Sequence, residues 1–240
     1  MSRSSVDVQY GLEYSNGRLL DFYRADSTRG SAAAVLWHGS GANERDVLSS
    51  LAEQLASRNV SAIVPDWDPA DRNFAQHQLL DSIANARQTC DRLEIAQLAL
   101  IGWSLGANAA LDFLMNSATI EGWLPSGFVG LAGGFNGSPF SADRRSHGLE
   151  STTTPILLIH GSADEVVPVE SSRRIAEELV SLGCRVELRE IDTDHAGVIG
   201  TIFNQDRHRC VGTNQPERMR TLVTVSDWIA EFVLSSHDET

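Results

Sequence analysis

Apolar positions along the chain fall into two alternating patterns. Short, nearly unbroken apolar runs end in turn residues: AAAVLWHG (32–39), SAIVPDW (61–67), LALIG (98–102), GFVGLAGG (127–134) and PILLIHG (155–161). Runs of this kind predict strands covered on both faces, as in a parallel sheet with helices above and below. CRVELREID (184–192) alternates Val186 and Leu188 with Glu187 and Glu190, so it predicts a strand nearer the sheet edge. Between the runs, apolar residues recur at spacings of three and four. Val47, Leu48, Leu51, Ala52 and Leu55 form one stripe, with Asn43 as candidate cap and Asp46 in the first turn. Leu79, Ile83, Ala86 and Cys90 form a second; Ile175, Leu179 and Leu182 form a third, closed by Gly183. Met219, Leu222, Val223, Ser226, Ile229, Ala230 and Val233 mark a C-terminal helix. The segment from Val6 to Tyr23 predicts a leading hairpin turning at Asn16–Gly17. No repeat or linker interrupts this order. The pattern predicts one α/β domain over residues 1–240 (core about 18–235), with a mostly parallel central sheet and helices on both faces.

Charge and composition narrow the function classes. The chain has 19 Lys+Arg against 32 Asp+Glu, a formal net charge of -13, and no basic stripe. A broad phosphate-binding surface is therefore not expected, which argues against a nucleic-acid partner. The start, MSRSSVDVQY, lacks the apolar stretch of a signal peptide, and no segment approaches a membrane span. The expectation is a cytoplasmic protein without a membrane partner. Cys90, Cys184 and Cys210 are odd in number, widely spaced and free of any CxxC pair, which predicts reduced thiols and no metal site.

The chemistry centres on LIGWSLGANAA (100–110). Gly-x-Ser-x-Gly alone is a weak signal, but here it follows an apolar strand and opens the helix bearing Leu111, Phe113 and Leu114. That is the setting of a nucleophile elbow, with Ser104 strained at the turn and Gly102 and Gly106 where side chains would collide. An inert serine in a glycine-rich turn is the alternative. A serine nucleophile needs a base. Of seven histidines, His195 in IDTDHAG follows a strand end and precedes a loop, as a base beyond the carboxyl edge of a parallel sheet should. His208, in a polar loop, is its main competitor. His77 is expected on a helix surface, His237 in a tail and His147 in an irregular stretch. His38 and His160 end strands, where an orienting or core role fits better. The acid that orients the base is assigned to Asp164 in LIHGSADEVVP, with Glu165 and Asp143 as alternatives. Asp164 as a turn residue or near-cap is the competing reading, and Asp192 and Asp194 are expected to shape the turn before His195. HGSGA (38–42) supplies a glycine-rich backbone for an oxyanion hole, with the N–H of Leu105 as second donor. A phosphate-cradling loop is disfavoured, since HGSG lacks the lysine and length of a P-loop.

The ordered set HGSG, GWSLG, HGSADEVVP and DHAG resembles the α/β-hydrolase superfamily from about Arg18 to Val233. The lead-in GRLLDFYRAD and the strand end VPDWD are similar to compact serine esterases related to dienelactone hydrolases and to acetylxylan or feruloyl esterases. The resemblance implies the α/β-hydrolase fold, a triad of Ser104, Asp164 and His195, and oxyanion N–H groups from Ser40 and Leu105. It implies no cofactor and no metal. The chain departs from the group in carrying HGSG rather than HGGG, and in using serine where dienelactone hydrolases use cysteine. GLAGG (130–134) and TTTPILL (152–158) are too close for a large lid domain, so an open site is expected. Residues 197–216, with Arg207, His208 and Arg209, form a long connection that either borders the pocket or lies on the surface as a loop. Trp67, Trp103 and Phe135 are candidate substrate-binding residues, with simple packing as the alternative. The resulting expectation is hydrolysis of small carboxylic esters through an acyl-enzyme. Amide, formamide or peptide hydrolysis on the same machinery, and a non-catalytic binding role, are the alternatives.

Overall fold

The structure is a computed structural model that describes residues 6–26, 32–71, 74–120 (backbone only for 117–120), 123–140 and 151–235. Strands β1 (Asp7–Ser15) and β2 (Arg18–Arg24) form the leading hairpin. Its turn places both Asn16 (φ 40°) and Gly17 (φ 78°) in the left-handed region, the conformation that makes Asn-Gly a hairpin signal. Then follow β3 (Ala32–Trp37), α1 (Ser49–Ala56), β4 (Val60–Pro65), α2 (Ala75–Leu93), β5 (Gln97–Trp103) and α3 (Leu105–Ile120). The remainder is β6 (Phe128–Leu131), β7 (Ile156–Gly161), α4 (Glu170–Ser181), β8 (Val186–Ile191), a small hairpin of β9 (Thr201–Asn204) and β10 (Arg209–Gly212), and α5 (Pro216–Ser235).

The main sheet runs β1-β2-β4-β3-β5-β6-β7-β8, antiparallel at β1/β2 and β2/β4 and parallel from β4 to β8. This is the α/β-hydrolase arrangement. Successive residues of β3 show why its run is unbroken. Ala32, Ala34 and Leu36 pack with Leu51 and Leu55 of α1 and Leu222 and Ile229 of α5 on one face. Ala33, Val35 and Trp37 belong on the other face to a core cluster that also holds Leu79 and Ile83 of α2, Phe113 of α3, and Ile175 and Leu179 of α4. Each such large side chain, fully buried, stabilises the fold by about 1.5–3 kcal/mol. β8 lies at the edge and is only partly covered, in line with its alternating sequence.

The chain steps from β3 to β4 on one side and crosses back to β5 on the other, so the strand order reverses between β3 and β5. The carboxyl ends of these strands are therefore the expected binding crevice of the sheet. HGSG leaves β3 there and Ser104 leaves β5 beside it, with Trp37 paired to Gly102. β6 then spaces β5 from β7, whose carboxyl end leads to Asp164.

Two local expectations are corrected. Asn43 does not cap α1: it sits in a left-handed turn (φ 55°), and its Oδ1 accepts from Arg18 Nη1 at 2.7 Å. A 3-10 turn, Arg45–Leu48, intervenes before α1, although the apolar stripe of that region is inward as expected. Val223 is 40% exposed, one residue off the buried stripe of α5. The connection 197–216 holds a short 3-10 turn and the β9–β10 hairpin. Between β6 and β7, residues 141–150, including Asp143 and His147, lie outside the described residues, and the interval is too short for a lid domain.

Gly106 sets how closely α3 approaches β3. A Cβ there would lie 2.2 Å from the Trp37 carbonyl oxygen and 2.5 Å from that of His38, backbone atoms with no rotamer to change. Gly106→Ala is expected to destabilise by at least about 3 kcal/mol, because either α3 or the β3 end must shift. Gly212→Ala, with nothing within 4 Å of the added carbon, is expected to stay within about 1 kcal/mol of the parent. Urea unfolding of both variants measures the contrast.

Candidate functional site

Ser104 occupies the turn between β5 and α3 at φ 56°, a conformation that costs a non-glycine residue on the order of 1 kcal/mol. The turn is held by its own backbone. Ser104 N–H donates to Leu131 O at 2.8 Å, and Ser104 O accepts from Ala107 N–H at 3.0 Å and Asn108 N–H at 3.3 Å. The side chain is partly exposed at the N-terminus of α3, where the helix dipole favours negative charge. Leu105 is the first residue of α3, so its N–H is one of the helix donors with no intrahelical acceptor.

The HGSG segment leans on this elbow. A Cβ on Gly39 would lie 3.0 Å from the Trp103 ring and 3.4 Å from Ser104 Cβ. Ser40 is exposed at the tip of the turn. Beneath it, His38 is fully buried: its Nε2 accepts from Trp67 N–H at 3.3 Å, and its carbonyl accepts from Trp67 Nε1 at 3.2 Å. The proton therefore sits on Nδ1, which donates to Gly39 O at 3.2 Å. Burial pushes the imidazole down to about 4, against a smaller opposing effect of the Gly39 bond, so His38 is a neutral strut at neutral pH.

Asp164 leaves the end of β7 with its side chain fully buried. Oδ1 accepts the N–H groups of Val166 (2.9 Å) and Val167 (2.8 Å). Oδ2 lies 2.7 Å from His195 Nδ1 and 3.2 Å from His160 Nε2. His160 Nε2 is also 2.8 Å from Val167 O, which only accepts, so this nitrogen carries a proton. His160 Nδ1 is hydrogen-bonded to Ser172 Oγ at 2.7 Å. Burial alone raises the carboxyl's proton affinity. The bonds from His160, His195 and Val167 N–H, with the charge of His195, outweigh it and hold Asp164 well below the usual carboxylate range. The ionised Asp164 accepts from His195 Nδ1, so that nitrogen carries a proton.

The turn carrying His195 is attached on both sides. Ser162 N–H donates to Ile191 O at 2.8 Å and Ala163 N–H to Thr193 O at 3.1 Å, joining it to the acid turn. Asp194 accepts from Gly197 N–H at 2.8 Å, and Arg218 of α5 spans Thr193 Oγ1 (2.8 Å) and Asp194 Oδ2 (2.5 Å). Asp194 thus shapes the turn, as expected. Trp103 Nε1 donates to His195 O at 3.2 Å, with the two rings 5.2 Å apart. That contact ties the His195–Asp164 pair to the residue preceding Ser104.

The three candidate substrate-binding aromatics are each held in place. Trp67 is fully buried against His38, with ring centroids 5.7 Å apart. Trp103 lies against His195, and Phe135, buried at φ 54°, has its N–H bound to Asn108 Oδ1 at 2.7 Å. His77 is exposed on α2, while His208 is exposed at φ 49° in the β9–β10 turn. Glu165 and Asp192 are exposed, and His237 lies outside the described residues. Sequence reasoning missed Asn108, which also donates from Nδ2 to Gly137 O at 3.1 Å, and the direct link of His160 to Asp164. Their only sequence signal is position: one turn past Ser104, and four residues before Asp164. Among the described residues no group of three His, Cys, Asp or Glu can hold a metal ion, and no helix is long and apolar enough to cross a membrane. The three cysteines are free and buried.

The buried His38 makes stability pH-dependent. Unfolded, it titrates near 6.5; folded, near 4. Between these values the unfolded chain binds a proton that the folded chain does not. Its contribution is thus full above pH 6.5 and is lost as pH falls toward 4, by about 3 kcal/mol. His38→Gln keeps an acceptor for Trp67 N–H without titrating. The difference in unfolding free energy between parent and variant should shrink in the parent's disfavour across that window, and a constant difference would contradict the assignment.

Comparison with known proteins places the chain in a family. The profile of the phospholipase/carboxylesterase family matches residues 72–199, over half of the chain. The esterase Est2 of the planctomycete Thermogutta terrifontis superposes with a TM-score of 0.66 at 17% identity, covering 98% of this chain and 95% of that one. That esterase has also been solved phosphorylated by paraoxon and with butyrate bound. The Francisella virulence factor BioJ superposes with a TM-score of 0.71 at 12% identity (97% and 86% covered), and Est1E from Butyrivibrio proteoclasticus with 0.59 at 15% (93% and 98% covered). Local sequence matches to the non-reducing polyketide synthase adrD are 40% identical over 55 residues in Penicillium roqueforti and 49% over 39 residues in Penicillium rubens. They span 23% and 16% of this chain, but only 2% of those much longer proteins. With the fold and the family profile in agreement, the chain belongs to the phospholipase/carboxylesterase family.

Proposed function

We propose that this hydrolase cleaves small carboxylic esters through an acyl-enzyme on Ser104, with His195 as general base and acid and Asp164 as its orienting carboxylate. The observation that carries the reading is the 2.7 Å Asp164–His195 Nδ1 bond, made by a fully buried carboxylate in the turn that Trp103 joins to the elbow of Ser104. His195 Nε2 takes the Ser104 hydroxyl proton as Oγ attacks the ester carbonyl. The carbonyl oxygen becomes an oxyanion bound by the N–H groups of Ser40 and Leu105, each such donor supplying about 3 kcal/mol of transition-state stabilisation. The imidazolium then protonates the leaving alkoxide as the carbon–oxygen bond breaks. In the second half, His195 deprotonates water, hydroxide adds to the acyl carbon, and Ser104 leaves with the proton returned. Asp164 stays ionised throughout, which its four donors favour.

The short interval between β6 and β7 supports an open site, and the buried positions of Trp67, Trp103 and Phe135 support a shallow acyl pocket. Both favour short acyl groups over long lipid chains, in keeping with the butyrate held by the Thermogutta esterase. A fluorophosphonate should label the parent at Ser104 and leave Ser104→Ala unlabelled. With p-nitrophenyl acetate and butyrate, Asp164→Asn should lower kcat by about 10³–10⁴-fold, because the neutral amide no longer selects the Nδ1–H tautomer. An unlabelled parent defeats the nucleophile assignment, and faster turnover of an aryl formamide than of any ester moves the substrate class to amides.

A further inference from the structure

The turn that follows HGSG is fastened to a hairpin for which the acyl-transfer chemistry has no direct use. β9–β10 begins six residues after His195, and Arg209 on β10 reaches that turn. Its Nη2 lies 2.6 Å from Asp46 Oδ1 and its Nε 3.8 Å from Glu44 Oε1. Nε is buried and makes no hydrogen bond, so the Glu44 carboxylate is the charge it faces. Glu44 in turn folds back onto the oxyanion segment. A Cβ on Gly41 would lie 2.0 Å from Glu44 Cδ and 2.3 Å from each carboxylate oxygen, so the carboxylate occupies the space that any other residue's side chain would fill. The Glu44 carboxylate therefore lies directly against the Gly41 backbone. The other ties on this turn run to the opposite side of the sheet: Arg18 to Asn43, and Arg45 to Asp21 and Asp66. Among the described residues, Arg209 is the tie that comes from the segment following the base.

We infer that Arg209 and Glu44 are positioning residues of the oxyanion hole: the Glu44 carboxylate packs against Gly41 and holds the Ser40–Gly41 peptide with Ser40 N–H aimed at the substrate, and Arg209 pins Glu44 to the hairpin that follows His195. The inference rests on the reading of Ser40 N–H as an oxyanion donor. It assigns the long connection a role, since the hairpin carries the oxyanion turn and the base turn as one unit. Neither side chain touches substrate; both act through the peptide between Ser40 and Gly41.

The test uses Arg209→Met, Arg209→Lys and Glu44→Ala in the full chain, with kcat and KM on p-nitrophenyl butyrate and on the matched thionoester. Sulfur at the carbonyl accepts hydrogen bonds poorly, so the ratio of oxygen-ester to thionoester rates reads the oxyanion donors specifically. Arg209→Met and Glu44→Ala are expected to lower kcat by about 10–100-fold with KM changed less than about threefold, and to reduce that ratio, a fraction of the loss on deleting a donor outright. Arg209→Lys keeps the charge and should recover most of kcat. Parent-like kcat and ratio in Arg209→Met and Glu44→Ala overturn the inference, as does an equal fall on both substrates, which marks a general disturbance. If Arg209→Met does not fold by circular dichroism, Glu44→Ala, at a partly exposed position in a turn, decides alone. Failure of the catalytic reading shows separately, as a parent that fluorophosphonate does not label and whose turnover survives Ser104→Ala.

Discussion

A buried carboxylate with four donors organises this end of the sheet. Asp164 is ionised although its side chain is inaccessible to water, and that state persists only while its lone pairs are filled. Two donors, Val166 and Val167 N–H, come from the turn itself and dictate its shape. The third, His160, ends β7 and is oriented by Ser172 of α4, so strand, turn and helix are tied through one imidazole. The fourth is His195, the only one delivered from beyond β8. Leaving any one of these lone pairs unpaired costs about 1–3 kcal/mol, so the chain is under constraint to bring the His195 turn home.

The other half of the site rests on steric rather than electrostatic constraint. Ser104 is held at positive φ because β5 must hand over to α3 within one residue while α3 lies almost on the β3 carbonyls. Strain at that residue is compensated by bonds to Leu131, Ala107 and Asn108, which belong to β6 and to the first turn of α3. The two halves meet at Trp103, whose indole packs on the His195 ring while donating to its carbonyl. A single large side chain thus links the tight turn to the charged pair.

How much of this was legible in the sequence depended on whether a feature leaves a periodic or local trace. β3 was legible because both faces of the strand are covered, and Asn16–Gly17 and Gly183 because left-handed turns select their residues. The order of HGSG, GWSLG, HGSAD and DHAG was legible because each segment follows a strand. Asn43 misled because Asn serves caps and left-handed turns alike, and only the distant Arg18 decides between them. Trp67 reads from sequence either as a pocket aromatic or as simple packing, and its indole bond to the His38 carbonyl leaves no local sequence trace. The bond of Arg209 to Asp46 joins residues 163 positions apart and leaves no pattern in either neighbourhood.

All 19 cationic side chains of this acidic chain are arginine, and the absence of lysine has a structural counterpart. The turns around the site are joined by guanidiniums that each lie between two partners: Arg45 between Asp21 and Asp66, Arg209 between Glu44 and Asp46, and Arg218 between Thr193 and Asp194. A planar fork bridges two such groups with fixed geometry, whereas an ammonium offers a point charge on a flexible stem. Isolated surface ion pairs contribute little to stability, about 0–1 kcal/mol each. The value of these bridges therefore lies in direction: each fixes the path of a turn that carries a site residue, at places where the apolar core does not reach. In a fold whose sheet is held by two hydrophobic layers, the sheet fixes where the strands end, and the arginines fix where the chain goes next.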